Sequence, residues 1–196
     1  PGGGRAAGRG SEGRAVNVRL VAARLYLPAG LRKKKLAELL ALTAEAFGAA
    51  APAAESVSLA DMRRLYADRS RSWAERALSR PEDAEASGRR LFEGGERLGR
   101  ELRGTLRVAS RREVMAAARV LYRALDIDLE GDAEGDIVVR RCSFDGLYPA
   151  EVCRLMSRLD AGILAGLAGG GELAFTERLT EGAGRCRARF TFPEAP

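Results

Sequence analysis

The chain has 196 residues, a net charge of +6, three cysteines and no histidine, and 46% of its residues are hydrophobic. This length and composition are sufficient for one substantial core. The absence of histidine excludes Ser-His-Asp and Cys-His catalysis, histidine-ligated metal sites and imidazole pH switches, so acid–base chemistry falls to Asp, Glu, Cys, Tyr, Lys or Arg.

The positive charge does not predict a nucleic-acid site. Arginines are interspersed with acidic residues, and aromatic residues make up only 6% of the chain, whereas single-strand binding surfaces alternate basic and aromatic side chains. The dense basic run at residues 32–35 is interpreted as the solvated face of a helix. No apolar run approaches the roughly 20 residues that span a bilayer, and no secretory signal is evident. We expect a cytoplasmic protein without nucleic-acid or membrane partners, and a homo-oligomer is compatible with the sequence.

The N-terminal two thirds of the chain predicts a short tail followed by helices. Residues 1–14 are rich in Gly and Arg and predict a disordered tail, which leaves residues 15–196 as a single domain. Residues 16–20 alternate as a short strand or begin a helix that continues to Tyr26. Further helices are predicted at residues 31–47, at 59–78 with Ser58 as N-cap, from Pro81 to Leu102 or beyond, and at 111–125 with Ser110 as N-cap.

The C-terminal third predicts strands around one more helix. Residues 126–136 are acidic and predict a loop, residues 137–144 alternate as a strand, and Pro149 opens a helix. Residues 173–179 and 186–192 predict a hairpin in which Glu177 faces Ala188 and Phe175 faces Phe190. The fold predicted from these elements is α+β, with N-terminal helices packed on a small antiparallel sheet and a helix-plus-hairpin C-terminal unit.

All three cysteines fall in this C-terminal unit. Cys142 is predicted on the strand, Cys153 near the start of the helix and Cys186 on the hairpin, so the three thiols are expected to approach one another. Buried thiols commonly do no more than fill space. A three-cysteine zinc site is the alternative, although the spacing lacks a Cys-x-x-Cys pair.

Two carboxylates stand out near these cysteines. Asp160 shares a helical stripe with Cys153 and Ser157, at spacings of four and seven residues. Glu177 is predicted on the apolar face of the hairpin, where an unpaired carboxylate is costly. It either pairs with an arginine or has a raised pKa that serves chemistry.

The ordered set of C-terminal motifs resembles the L-2-amino-thiazoline-4-carboxylic acid hydrolase family. The resemblance covers roughly residues 137–192, and it is carried by residues 141–144, 148–153, 159–162, 175–182 and the strand from Cys186 to Phe192. Cys142, Cys153, Asp160, Gly182 and Cys186 fall on positions that this family's pattern favours. The segment is also similar, more distantly, to the four-vinyl-reductase-type small-molecule-binding domain.

The resemblance implies helices packed on one antiparallel sheet with a small pocket between them. The vinyl-reductase-type domains hold zinc through a Glu and three Cys. Cys153 and Cys186 match that pattern, but Phe175 stands at the position of the Glu and Arg178 at that of the middle Cys. A zinc site of that kind is therefore not expected, and no other cofactor is.

Three functions follow from these features. The first is hydrolysis of a C–N or C–S bond in a small heterocyclic or thiol-containing metabolite. In this interpretation Cys153 is the nucleophile, because the free N–H groups at a helix start stabilise negative charge. Cys142, Asp160 and Glu177 are the other predicted catalytic residues. The second is a non-catalytic binding or sensor module, with zinc held by Cys142, Cys153 and Cys186. The third is a structural interaction role for the basic tail and exposed helices.

Overall fold

The computed structural model describes residues 17–52 and 57–194. Within them the chain forms six α-helices and one four-stranded antiparallel sheet, which confirms the predicted α+β class. The predicted tail at residues 1–14 lies outside the described residues. The elements in chain order are α1 Val18–Leu25, α2 Ala29–Ala46, α3 Leu59–Leu78, α4 Pro81–Leu106, α5 Arg111–Ala124, β1 Asp128–Gly131, β2 Asp136–Arg141, α6 Ala150–Ala168, β3 Glu172–Glu177 and β4 Cys186–Thr191.

Local capping chemistry sets where the helices begin. The Ser58 side chain accepts a hydrogen bond from the Asp61 N–H at the start of α3, and Ser110 does the same for Glu113 in α5. Each serine thereby satisfies one of the N–H groups that a helix start leaves unpaired. Pro81 occupies the first turn of α4, where its missing N–H costs nothing. These three predicted helix starts are confirmed.

Helices α4 and α6 cross so closely that their backbones touch through glycine. A Cβ atom built on Gly162 would lie 2.0 Å from the Phe92 carbonyl oxygen, and one built on Gly166 would lie 2.1 Å from that of Glu96. On α4, Gly95 and Gly99 face α6 in the same way. Each of these glycines weakens its helix by up to about 1 kcal/mol relative to Ala, but together they allow the approach that buries α6. Because α6 is held on this side, its opposite side faces the cavity described below.

The sheet has the strand order β1-β2-β4-β3 and packs one face on the helices. Ile137 and Val139 of β2 and Ala188 and Phe190 of β4 are buried on this face. Arg140, Arg187 and Arg189 alternate with them along the strands and are exposed, as alternation in a one-sided sheet requires. The sheet therefore closes the core on one side and leaves its charged face to solvent.

Of the two alternatives for the first element, the helix is confirmed. Two predictions for the sheet need correction. The acidic segment 126–136 is not a loop throughout, because residues 128–131 form β1 and pair with β2. The hairpin pairs Phe175 with Ala188 and Leu173 with Phe190, two residues away from the predicted register, and a bulge lies between Phe175 and Glu177. A two-residue slip keeps the same side chains on the apolar face, so alternation alone did not distinguish the two registers.

Candidate functional site

A cavity of about 80 Å³ lies between α3, α5, α6 and the turn after β2, and its wall is mostly apolar. One water needs roughly 10–15 Å³ on such a measure, so the cavity leaves room for a small organic molecule. Pockets of this kind bind ligands through a few polar groups set in an apolar wall. The polar and thiol side chains that line it are Tyr66, Tyr122, Cys142, Asp145, Tyr148, Cys153, Ser157, Asp160, Thr180 and Cys186.

One face of α6 supplies three of these side chains. Cys153, Ser157 and Asp160 lie four and three residues apart, which places them on one side of a helix. All three line the cavity, together with Cys142 from the turn after β2 and Cys186 from the first residue of β4. The structure thus brings together every sequence-predicted site residue except Glu177.

Asp160 is half-buried at the cavity wall, and its carboxyl group is held by a tyrosine. The Tyr122 hydroxyl donates to Asp160 Oδ1 over 2.6 Å. Burial raises the pKa of the Asp160 carboxyl, while the Tyr122 hydrogen bond and the nearby Arg178 charge act against that rise. No group of the described residues donates to Oδ2. Asp160 therefore offers one oxygen to a ligand and takes up a proton more readily than an exposed aspartate.

The raised pKa of Asp160 predicts that part of the free energy of unfolding depends on pH. Native Asp160 binds a proton more tightly than unfolded Asp160, so its neutral form contributes stability below the unfolded pKa near 3.9, and this contribution is lost as the pH rises through the folded pKa. The free energy of unfolding should therefore contain a part that decreases as the pH rises from 4. We expect this decrease to be smaller in Asp160→Asn, as measured by urea unfolding midpoints from pH 4 upward. Asp145→Asn, a change at an exposed carboxylate of the same cavity, is the matched control. Equal flattening by both variants would contradict the assignment.

Burial affects the reactivity of two of the cysteines. It raises the pKa of the Cys142 thiol to about 12, and it also raises the pKa of the Cys186 thiol, whose sulfur accepts a hydrogen bond from the Leu179 N–H. Since the thiolate is the nucleophilic form, both thiols are poorly suited to attack at neutral pH. The predicted catalytic role of Cys142 is not supported by this environment.

The environment of Cys153 differs from that of Cys142 and Cys186. Arg178 Nη1 lies 3.7 Å from Cys153 Sγ and donates to Ser157 Oγ over 2.7 Å, while Ser157 donates to the Cys153 carbonyl oxygen. The guanidinium also stacks on the Phe175 ring, with its carbon 4.0 Å from the ring centroid. Arg178 therefore joins the hairpin to α6 and places a fixed positive charge beside this sulfur.

The geometry does not form the zinc site considered above. Within residues 17–52 and 57–194, no three His, Cys, Asp or Glu side chains come together in a way that could hold a metal ion. Cys142, Cys153 and Cys186 are free thiols around the cavity, and Arg178 fills the position at which the vinyl-reductase-type pattern has a cysteine. The residues present do not fit that metal.

Glu177 lies outside the cavity, so its predicted place on the apolar face is wrong. Its side chain is exposed and forms an ion pair with Arg187, with Oε2 and Nε 3.3 Å apart. The bulge before Glu177 turns it toward solvent. The ion-pair interpretation of this residue is confirmed, and nothing in the geometry connects Glu177 to the cavity.

Sequence reasoning missed the side chains that other elements contribute. The Tyr66 hydroxyl shares a hydrogen bond with Thr43 Oγ1 over 3.2 Å, and Tyr148 stacks on Phe144 with ring centroids 4.8 Å apart. The signal available in the sequence was a tyrosine on the apolar face of a helix, since a buried hydroxyl requires a partner. Thr180 is the exception to this pairing of buried hydroxyl groups. Its buried Oγ1 has no hydrogen-bond partner among the described residues.

Comparisons of the chain with family models, with curated proteins and with solved structures find no match. The similarity to the thiazoline-carboxylate hydrolases thus rests on the sequence motifs alone. The described part of the chain contains no helix that is both long and apolar enough to cross a bilayer.

Proposed function

We propose that this protein is a hydrolase-like protein that binds a small heterocyclic or thiol-containing metabolite in the cavity and cleaves a C–N or C–S bond in it. The observation that carries the proposal is the meeting of Cys153 and Asp160 in one small, mostly apolar cavity. A nucleophile and a proton-transfer group with a raised pKa are the two groups that such a cleavage needs. The motif resemblance to thiazoline-carboxylate hydrolases supports the same reaction class.

In the proposed reaction Cys153 Sγ forms a bond to the electrophilic ring carbon, and the ring C–N or C–S bond breaks with its electron pair on nitrogen or sulfur. Asp160 accepts the thiol proton and transfers it to the leaving atom. Since Asp160 lies two turns along α6, this transfer passes through the substrate or a water molecule. Water then adds to the carbon, and Cys153 leaves with the second proton of that water. The direct test is incubation with L-2-amino-thiazoline-4-carboxylate and detection of a ring-opened product.

A second candidate, a non-catalytic binding module, is favoured by one observation. Among the described residues, Arg178 is the one hydrogen-bonding neighbour of Cys153 Sγ, and no basic side chain that could take the thiol proton lies beside it. Ligand binding without turnover, in metal-free protein whose thiols react slowly, would support this candidate over the enzyme.

Thr180 provides a test of the ligand site that does not depend on turnover. Its buried hydroxyl has no hydrogen-bond partner among residues 17–52 and 57–194, so Thr180→Val is expected to stabilise the free protein by about 1 kcal/mol. A ligand that hydrogen-bonds Thr180 would bind this variant roughly tenfold more weakly. Urea unfolding and calorimetric titration with L-2-amino-thiazoline-4-carboxylate measure the two effects.

Thr176→Val on β3 is the matched control, because the Thr176 hydroxyl is exposed and donates to the Arg187 carbonyl oxygen, away from the cavity. It should leave binding unchanged. A Thr180→Val variant that loses stability and binds ligand normally would show that the hydroxyl serves the fold instead.

A further inference from the structure

We infer that the exposed apolar side of α1 and the turn after it, with the basic start of α2, docks this protein on the surface of an anionic lipid bilayer. The large hydrophobic side chains exposed there are Val18, Val21, Leu25, Tyr26 and Leu31, here called the α1 surface. Elsewhere in the described chain, Leu147 alone is a large hydrophobic residue of comparable exposure. Such concentration in one short segment marks an interaction site rather than scattered surface leucines.

Three of these five side chains lie on one face of α1. Successive residues of an α-helix turn by about 100°, so Val18, Val21 and Leu25 fall within an arc of roughly 60°. Val18 is 73% exposed and Leu25 is 79% exposed, whereas Leu20, on the opposite side of the helix, is buried. Helix α1 therefore has one apolar side that packs on the protein and a second apolar side that faces outward.

Hydrogen bonds hold this outward face in position. Asn17 Nδ2 donates to the Leu106 carbonyl oxygen over 2.9 Å, and Arg19 Nη1 donates to that of Thr105 over 3.0 Å. Leu27, at the other end of the segment, is buried in the core. Because the helix is already folded and anchored, docking requires little further ordering of the chain.

The charge of this segment indicates the chemistry of its partner. Residues 17–37 contain six Arg or Lys and no Asp or Glu. Lys34 is exposed near the start of α2, three residues after Leu31, and Lys35 forms an ion pair with Glu38, just past this segment. An apolar helix face beside basic residues suits the headgroup region of an anionic bilayer, where apolar side chains reach the acyl boundary and cations meet phosphates.

The same charge argues against a second copy of this chain as the occupant. Pairing two α1 surfaces would bring together two segments that each contain six basic and no acidic residues, and like charges repel at such distances. An anionic bilayer satisfies both the apolar and the basic part of the surface. It requires no spanning helix, and it replaces the expectation from the sequence that the protein has no membrane partner.

The experiment is co-flotation of the full chain with vesicles of phosphatidylcholine alone or of equimolar phosphatidylcholine and phosphatidylglycerol. We expect binding to the anionic vesicles only, weakening as salt is added. Leu25→Gln should lower the partition coefficient roughly tenfold, and Lys34→Gln about fivefold. Both side chains are exposed, so thermal unfolding should stay as in the parent chain.

Leu147→Gln is the matched control, because it makes the same change at an exposed leucine outside the α1 surface. It should leave the partition coefficient within about twofold. Equal binding to both kinds of vesicle, no binding at all, or an equal loss in Leu147→Gln would each overturn the inference. So would a dimer in sedimentation that Leu25→Gln dissociates, or a salt-sensitive DNA complex that Lys34→Gln weakens while vesicles bind nothing.

Discussion

Gly162→Ala is expected to destabilise the protein by roughly 3 kcal/mol, because the added methyl group has no space. A Cβ at this position would lie 2.0 Å from the Phe92 carbonyl oxygen and 2.9 Å from the Glu96 amide nitrogen. Both atoms belong to the backbone of α4, so relief requires the two helices to separate. Separation would open the contact that buries one side of α6. Urea unfolding measures the loss.

Gly104→Ala provides the control on the partner helix. Nothing lies within 4 Å of a Cβ at Gly104, which is exposed near the end of α4. Alanine is a better helix former than glycine, so this change should stabilise the protein by about 0.5–1 kcal/mol. Opposite signs for two identical substitutions would identify close packing as the cause. A similar small effect in both variants would show that α4 and α6 do not touch through their backbones.

The α4–α6 crossing also matters for the site. Gly162 lies two residues after Asp160 and nine after Cys153, so the helix whose glycines touch α4 carries the proposed nucleophile and the carboxylate on its other side. Displacing α6 would move both groups relative to Tyr122 on α5, which holds Asp160 Oδ1. A chemical site built on a helix keeps its geometry only when that helix is fixed.

The elements that sequence predicted well are those with local causes. N-caps at Ser58 and Ser110 and the first-turn Pro81 depend on a few neighbouring residues, so the pattern of side chains specifies them directly. The stripe of Cys153 and Asp160 on α6 was predictable for the same reason, since helix geometry alone places them on one side.

The features that sequence did not predict depend on contacts between distant segments. The hairpin register was wrong because a two-residue slip preserves the apolar face, and the choice was made by the bulge before Glu177. Strand β1 lies within an acidic segment. Of its four residues Leu129 alone is buried in the core, and pairing with β2 determines the conformation of the strand. Alternation within one strand does not encode its partner.

The residues that line the cavity also divide into those with local causes and those placed by contacts between distant segments. Its α6 residues follow from spacing, whereas Tyr122 and Thr180 come from elements whose distance from α6 is set by the whole fold. The position of Arg178 beside Cys153 depends on the hairpin bending at its end. Sequence therefore identified the helix that lines the cavity with Cys153 and Asp160 but not the residues that surround it.

Cys153→Ser is expected to lower turnover of a responsive substrate by roughly a thousandfold or more, since loss of a nucleophile removes the covalent step. Serine has nearly the shape of cysteine and still accepts a hydrogen bond, so Arg178 retains a partner at this position. Ligand binding should therefore change little. Single-turnover kinetics and calorimetric titration of the same preparation separate the two effects.

Cys186→Ser supplies the comparison, because Cys186 lines the same cavity and burial raises the pKa of its thiol. Its loss should change turnover by less than about tenfold, through packing alone. Full activity in Cys153→Ser would eliminate Cys153 as the nucleophile. Binding that survives in both variants, with no turnover by the parent chain, would identify the cavity as a binding site whose thiols only complete its wall. Because Cys153 is the one of the three cysteines whose sulfur accepts a hydrogen bond from Arg178, a large difference between the two variants is the result that the geometry favours.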